Sequence, residues 1–217
     1  MAAPMAPLSR WAIAGGALLA AASAQFVIVM GLVELAYPGY DPISNYVSDL
    51  GNPAHSPWAI LFNGSIRLLG VAGVLAAGMI GPSFLPSGWA RAGRALLAIT
   101  SAGAFLVGTF PEGSPELHGT IHGDVSDLTF LAAGLALLLL GAAMRGDPRW
   151  RGWGVPTVLL GVLTFLFIGL FVADGTVGLA GLLERGIIAP ILLWAILAGA
   201  HLAGAPALVR GPARTRA

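Results

Sequence analysis

His118 and His122 stand four residues apart, a spacing that sets two imidazoles on one face of a helix. One helix can offer a divalent metal two ligands in this way, and a third and usually a fourth must come from elsewhere. Asp124, Asp127 and Glu112 are the nearby carboxylates, but Asp124 and Asp127 fall off the two-histidine face on a helical wheel. Asp49, from an earlier polar segment, is then the best third ligand. A Zn²⁺ held by His118, His122 and Asp49 would lower the pKa of its bound water toward 7 and support hydrolysis, with Ser48 or Asp124 assisting. The same pair of histidines also fits plain hydrogen bonding to loop backbone. Ser44, Ser48 and Ser126 are hydroxyls that could act beside a histidine, yet no G-x-S-x-G turn is present to strain and expose one. His201 belongs to the far end of the last apolar stretch, about 20 Å or more away by helix rise.

Arg67 is a second anomaly, because it stands in the middle of an apolar stretch. A charge there costs at least about 2.5–3.5 kcal/mol on insertion scales, so it is expected to face other helices and find a carboxylate. Asp127 and Glu34 are its candidate partners, and Asn63 lies one turn away on the same face. Arg67 would then either bind an anionic group at the floor of a cavity or form an ion pair that fixes helix register.

The elements that must position these groups follow from composition. Of 217 residues, 57% are hydrophobic and 10% charged, against about 25% charged in an ordinary soluble domain. That excludes a soluble globular protein and a disordered chain. Cysteine is absent, so there is no disulfide, thiolate nucleophile or cysteine-held metal. A net charge of +1 gives no reason to expect nucleic acid as a partner. Six stretches are long and apolar enough to cross a bilayer: 11–36, 58–80, 92–110, 121–144, 155–173 and 186–208. Trp11, Trp58, Trp89, Trp150 and Trp153 mark their ends, as interface tryptophans do. Ala22-Ser23-Ala24 resembles a signal-peptide cleavage site, but the apolar run continues to Ala36, too long for such a segment.

The basic residues are all arginine, and they alternate. Arg10, Arg91, Arg94, Arg145, Arg149, Arg151, Arg210, Arg214 and Arg216 fall on one side of the expected membrane. The other loops hold Asp41, Asp49, Glu112, Glu116, Asp174 and Glu184, with Arg185 as their one arginine. The positive-inside rule puts both termini in the cytoplasm and loops 1, 3 and 5 outside. Loop 1, residues 37–57, reads as a capped amphipathic helix. Asp41 suits the N-cap, Pro42 the first turn and Gly51 the stop, with Ile43, Tyr46, Val47 and Leu50 as an apolar stripe. In loop 3, Ser114 and Pro115 predict a helix start that runs unbroken to about Met144. The two loops align at an offset of 73, Asn45 on His118 and Asp49 on His122, which predicts three repeated helical hairpins.

The run Tyr37-Pro38-Gly39-Tyr40-Asp41-Pro42-Ile43-Ser44-Asn45-Tyr46-Val47-Ser48-Asp49-Leu50-Gly51, then Phe62-Asn63, Phe110-Pro111, His118-Gly119 and His122, resembles the prokaryotic membrane family catalogued as domain of unknown function 998. The likeness spans about residues 10–205. It implies six helices and marks Ser44, Asn45, Ser48, Asp49, Asn63, His118 and His122 as motif positions, without supplying a reaction. A looser likeness is to membrane metal hydrolases of the alkaline ceramidase type. Those use Ser, Asp and a His-x-x-x-His pair in another order on seven helices, and here His55 would have to serve as the further histidine.

The expectation is an all-helical protein of the inner membrane with an outward polar pocket. Asn63 and Arg67 would bind a lipid head group or small polar ligand there, with Ser44, Asn45, Asp49, His118, His122 and Asp127 around it. A membrane-embedded Zn lipid hydrolase is the alternative. A small transporter is a second alternative, with His201 as the one polar group toward the inner side.

Overall fold

A computed structural model of the chain describes residues 7–115, 120–174 and 178–209. Its helices are α1 (Arg10–Ala36), α2 (Ala59–Met79), α3 (Gly88–Thr109), α4 (Ile121–Arg145), α5 (Gly154–Asp174) and α6 (Ala180–Val209). All six are long and apolar enough to cross a membrane. Ser9 and Ser87 cap α1 and α3, their hydroxyls accepting from Ala12 N–H and Ala90 N–H. Most ends fall close to the expected spans. The largest difference is at α6, which begins six residues before 186 and so takes Glu184 and Arg185 into its first turns.

Each helix packs on its neighbours in the chain, and α1 against α6 closes a ring. The three expected hairpins are therefore arcs of one ring, since α2 lies against α3 and α4 against α5 as closely as partners within a hairpin do. Small residues make the seams. A Cβ on Gly199 would stand 2.5 Å from the Gly16 carbonyl oxygen, and one on Gly70 2.5 Å from Phe105 N. Lipid gives apolar helices no hydrophobic reason to associate, so such close backbone approach supplies the packing that does. Gln25 and Ser65 add a polar link between α1 and α2, Ser65 Oγ donating to Gln25 Oε1 at 3.1 Å.

The inside of the ring differs between its two ends. The end away from loop 1 is filled by Leu19, Ile80, Leu97, Leu137, Trp150 and Trp194, with Phe84 stacked on Trp150. Trp150 Nε1 donates to the Ser83 carbonyl at 3.0 Å, so this buried indole keeps its partner. At the other end a smaller cluster forms around Phe26, Val33, Val47, Leu50, Phe62 and Leu192. Val47 and Leu50 belong to loop 1, which folds inward as a plug.

Loop 1 is not the amphipathic helix its pattern predicts. It is a succession of turns that includes one 3-10 turn, Ser48–Gly51. Asp41 does cap a first turn, its Oδ1 accepting from Ile43 N–H and its Oδ2 from Ser44 Oγ. Beyond that, partners on α6 take the groups a helix would use. Ile43 O accepts from Leu182 N–H, Pro42 O and Asn45 O accept from Arg185, and Val47 N–H donates to Glu184. Local amphipathic pattern yields to these long-range bonds. Loop 3 also departs from its expectation. Ser114 and Pro115 lie outside helix, Ser114 N–H closing a turn on Pro111 O, with Gly113 at φ +80°; α4 begins at Ile121.

Candidate functional site

Loop 1 covers the open end of the ring, and a latch on α6 holds it there. Arg185 is the centre of the latch. Its Nη1 donates to the carbonyls of Pro42 at 2.9 Å and Gly181 at 2.9 Å, and reaches Asn45 O at 3.4 Å. Its Nη2 bridges Glu34 Oε1 and Tyr40 Oη, both at 2.6 Å. Tyr40 in turn donates to Tyr46 O at 2.8 Å. Burial, opposed by the nearby guanidinium, pushes the Tyr40 phenol up to about 12. Gly181 permits the contact, because a Cβ there would run into the Asn45 carbonyl. Asn63 ties the other side of the loop to α2, Nδ2 donating to Gly51 O at 2.8 Å.

Beneath the loop lies a cavity of about 110 Å³. A water needs only about 10–15 Å³ measured this way, so there is room for several waters or for part of an organic ligand. Phe26, Phe62, Ile66, Leu69, Phe130 and Ile188 make much of its wall. Its polar groups are Ser48, Thr100, His122, Ser126, Thr129 and Glu184. Thr100 and Thr129 are satisfied within their own helices by Leu96 O and Val125 O. Glu184 is 8% exposed. Its Oε2 accepts from Val47 N–H at 2.6 Å, and its field includes Arg185 together with the carboxylates of Glu112 and Asp49. His122 Nδ1 lies 2.9 Å from Phe110 O. A carbonyl accepts only, so Nδ1 donates its proton there and Nε2 is the ring nitrogen that this contact leaves free.

Of the residues expected at the site, the cavity brings together Ser48, Ser126 and His122. His118 lies outside the described residues, so the metal set of His118, His122 and Asp49 is not on view. Among the described residues no three potential ligands cluster. Asp49 is engaged locally, Oδ2 accepting from Tyr46 N–H at 2.9 Å. Ser44 and Asn45 are taken up in the turn around Asp41, and backbone and hydroxyl donors there hold the Asp41 carboxyl below its usual range. Asn63 is buried but spent on Gly51. Asp124, Asp127 and His55 are exposed, away from the cavity.

Arg67 is the clearest correction. It is exposed on the outside of the ring, and its Nε donates to Asn63 O, one turn back toward the loop-1 end. Neither expected carboxylate meets it. Glu34 pairs with Arg185, and Asp127 faces outward on α4. The long arginine stem lets the charge turn toward the interface, so it does not have to enter the bundle. His201 sits at the opposite end between Trp150 and Trp153, near Arg149 O.

Glu184 and Arg185 were missed as site residues, because a charged pair beside an apolar run reads as its boundary. The signal available was Leu179, Leu182 and Leu183 ahead of the pair. Those apolar residues extend the helical pattern through it.

Neither a curated protein nor a solved structure matches the chain. The family described as "Protein of unknown function (DUF998)" matches over residues 20–201, most of the sequence and every residue that lines the cavity, and the chain belongs to that family.

Proposed function

We propose that the protein resides in the inner membrane with both termini cytoplasmic, and that its outward half binds a lipid or lipid-like amphiphile. The alternation of arginine-rich and acidic loops supports that orientation. The observation that carries the binding reading is the capped cavity itself: an apolar pocket with a few convergent polar groups is the usual form of a small-ligand site. An apolar chain fits against Phe26, Phe62 and Ile188, and a polar end fits near Ser48, His122 and Glu184. The charged group on this wall is a carboxyl, with Arg67 turned away, so the favoured head group is a hydrogen-bond donor, neutral or cationic.

The test is lipid analysis by mass spectrometry of protein purified in mild detergent. Wild type should retain one lipid class. Ala133→Leu, which fills the cavity, should lose it, and Glu184→Gln should relax the choice of head group. The same lipid profile in wild type and Ala133→Leu would sink the proposal.

One observation favours a second reading, a zinc-dependent lipid hydrolase. The Phe110 carbonyl orients His122 with Nε2 available, which is how outer-shell partners prepare a metal-ligating histidine. His118 and Asp49 would complete the set. Elemental mass spectrometry of wild type beside His118→Ala/His122→Ala decides it: near-stoichiometric zinc lost in the variant supports the hydrolase, and none in either removes it. The transport reading requires the packed end around Trp150 and Trp194 to open.

A further inference from the structure

A separate groove lies at the opposite end of the bundle, between α2 and α3. It encloses about 320 Å³ and is lined by Val74, Ala77, Gly78, Arg91, Arg94 and Ala98. Arg91 and Arg94 are three residues apart, so they share a helix face. Neither has a carboxylate partner, since the ion pair found among the described residues joins Arg185 to Glu34. Arg94 Nη1 donates to Ala77 O at 3.3 Å and lies against Gly81, where a Cβ would stand 2.5 Å from it. Arg94 Nε is buried without a partner. A guanidinium carries five N–H donors, so the outer ones not spent on Ala77 O can take an anion at the groove mouth. Toward the membrane the groove continues onto exposed Val71, Val74, Leu75 and Ile99, a surface that suits acyl chains.

We propose that this groove binds an anionic phospholipid, its phosphate held by Arg91 and Arg94 and an acyl chain laid along α2 and α3. Basic pockets between membrane helices take phosphate head groups in this way. The apolar extension is what distinguishes a lipid from free phosphate as the occupant. The site is independent of the cavity beneath loop 1.

The experiment is native mass spectrometry of the full chain with phosphatidylglycerol or phosphatidylcholine in the micelle. Wild type should retain phosphatidylglycerol in preference to phosphatidylcholine. Arg91→Gln/Arg94→Gln should weaken that retention about thirtyfold, the combined contribution of two arginines near a membrane surface. Gly78→Ile should weaken it with no change of charge, because a Cβ there meets no atom within 4 Å and the side chain enters open groove. Arg10→Gln/Arg151→Gln, a charge-matched pair elsewhere at this end, should leave it intact, as should Ala133→Leu in the other cavity. Equal retention of the two lipids, or equal loss in the Arg10/Arg151 pair, would overturn the site. Full displacement by inorganic phosphate would show an anion site without a lipid. Folding of each variant is checked by size exclusion, and Gly78→Ile keeps the test valid if the double arginine variant misfolds.

Discussion

Replacing Arg185 with glutamine should release loop 1 from the bundle. The side chains of the Arg185–Glu34 pair are 18% and 21% exposed. Breaking a fully buried pair costs about 3–5 kcal/mol because a charge is left without its partner. A surface pair is worth about 0–1 kcal/mol. With roughly four-fifths of the pair enclosed, the loss should be near the lower end of the buried range, about 3 kcal/mol. Glutamine has one amide NH₂, and it cannot serve Glu34, Tyr40 and the carbonyls of Pro42 and Gly181 together. Unfolding in mixed micelles with rising dodecyl sulfate measures the loss, and limited proteolysis within residues 37–57 reports on the loop. Glu34→Gln/Arg185→Gln should recover at least about 1 kcal/mol relative to Arg185→Gln alone, because it removes the orphaned carboxylate. A loss under about 0.5 kcal/mol, the range of an ordinary surface substitution, with unchanged loop protection would refute the latch.

Asn63→Ala should cost about 1–3 kcal/mol in the same unfolding assay, since it leaves the buried Gly51 carbonyl without its donor. Spectrophotometric titration should find one of the three tyrosines ionising at about pH 12, and that signal should vanish in Tyr40→Phe. The sign follows from the folded value lying above the ordinary 10.0: the stabilisation is complete below pH 10 and disappears as pH rises through 12. Asp41 works in the other direction. Donors from Ile43 and Ser44 lower its carboxyl, so its contribution is present above the ordinary value of 3.8 and is lost as pH falls below it. Proteolysis of loop 1 should therefore accelerate on acidification, less so in Asp41→Asn.

Six helices were legible because long apolar runs and terminal tryptophans are local signals, and a window along the chain contains all that decides them. Loop 1 was legible in its cap at Asp41 and illegible beyond it. The pattern of Ile43, Val47 and Leu50 is helical, but Leu182, Glu184 and Arg185 claim the backbone groups that helix would use. Those partners lie about 140 residues away in sequence. Arg67 was misread for a related reason. A mid-span charge was expected to seek a carboxylate inside, while its own helix offered the Asn63 carbonyl in the direction of water. His122 and Ser48 were found because they belong to the polar ends of their segments. Glu184 was not, because its role depends on α6 beginning at Ala180.

The hollow under loop 1 is itself an argument for an occupant. A largely apolar space of about 110 Å³ that side chains leave unfilled costs up to about 2–3 kcal/mol at the rate measured for core truncations. The chain fills the other end of the same ring with Trp150, Trp194 and Leu137, so closing such a space is within its means. At the hollow end it places Ala104, Thr100 and Ala133 on the wall instead. A leucine at position 133 should then raise stability by about 1–2 kcal/mol in delipidated protein, as the added methylenes gain contacts the alanine lacks. In lipid-loaded protein the gain should shrink or reverse, because bound ligand stabilises the wild type alone. Equal gains in both preparations would mean the space is a packing defect. A gain confined to the delipidated state would mean that the missing volume is supplied by a ligand.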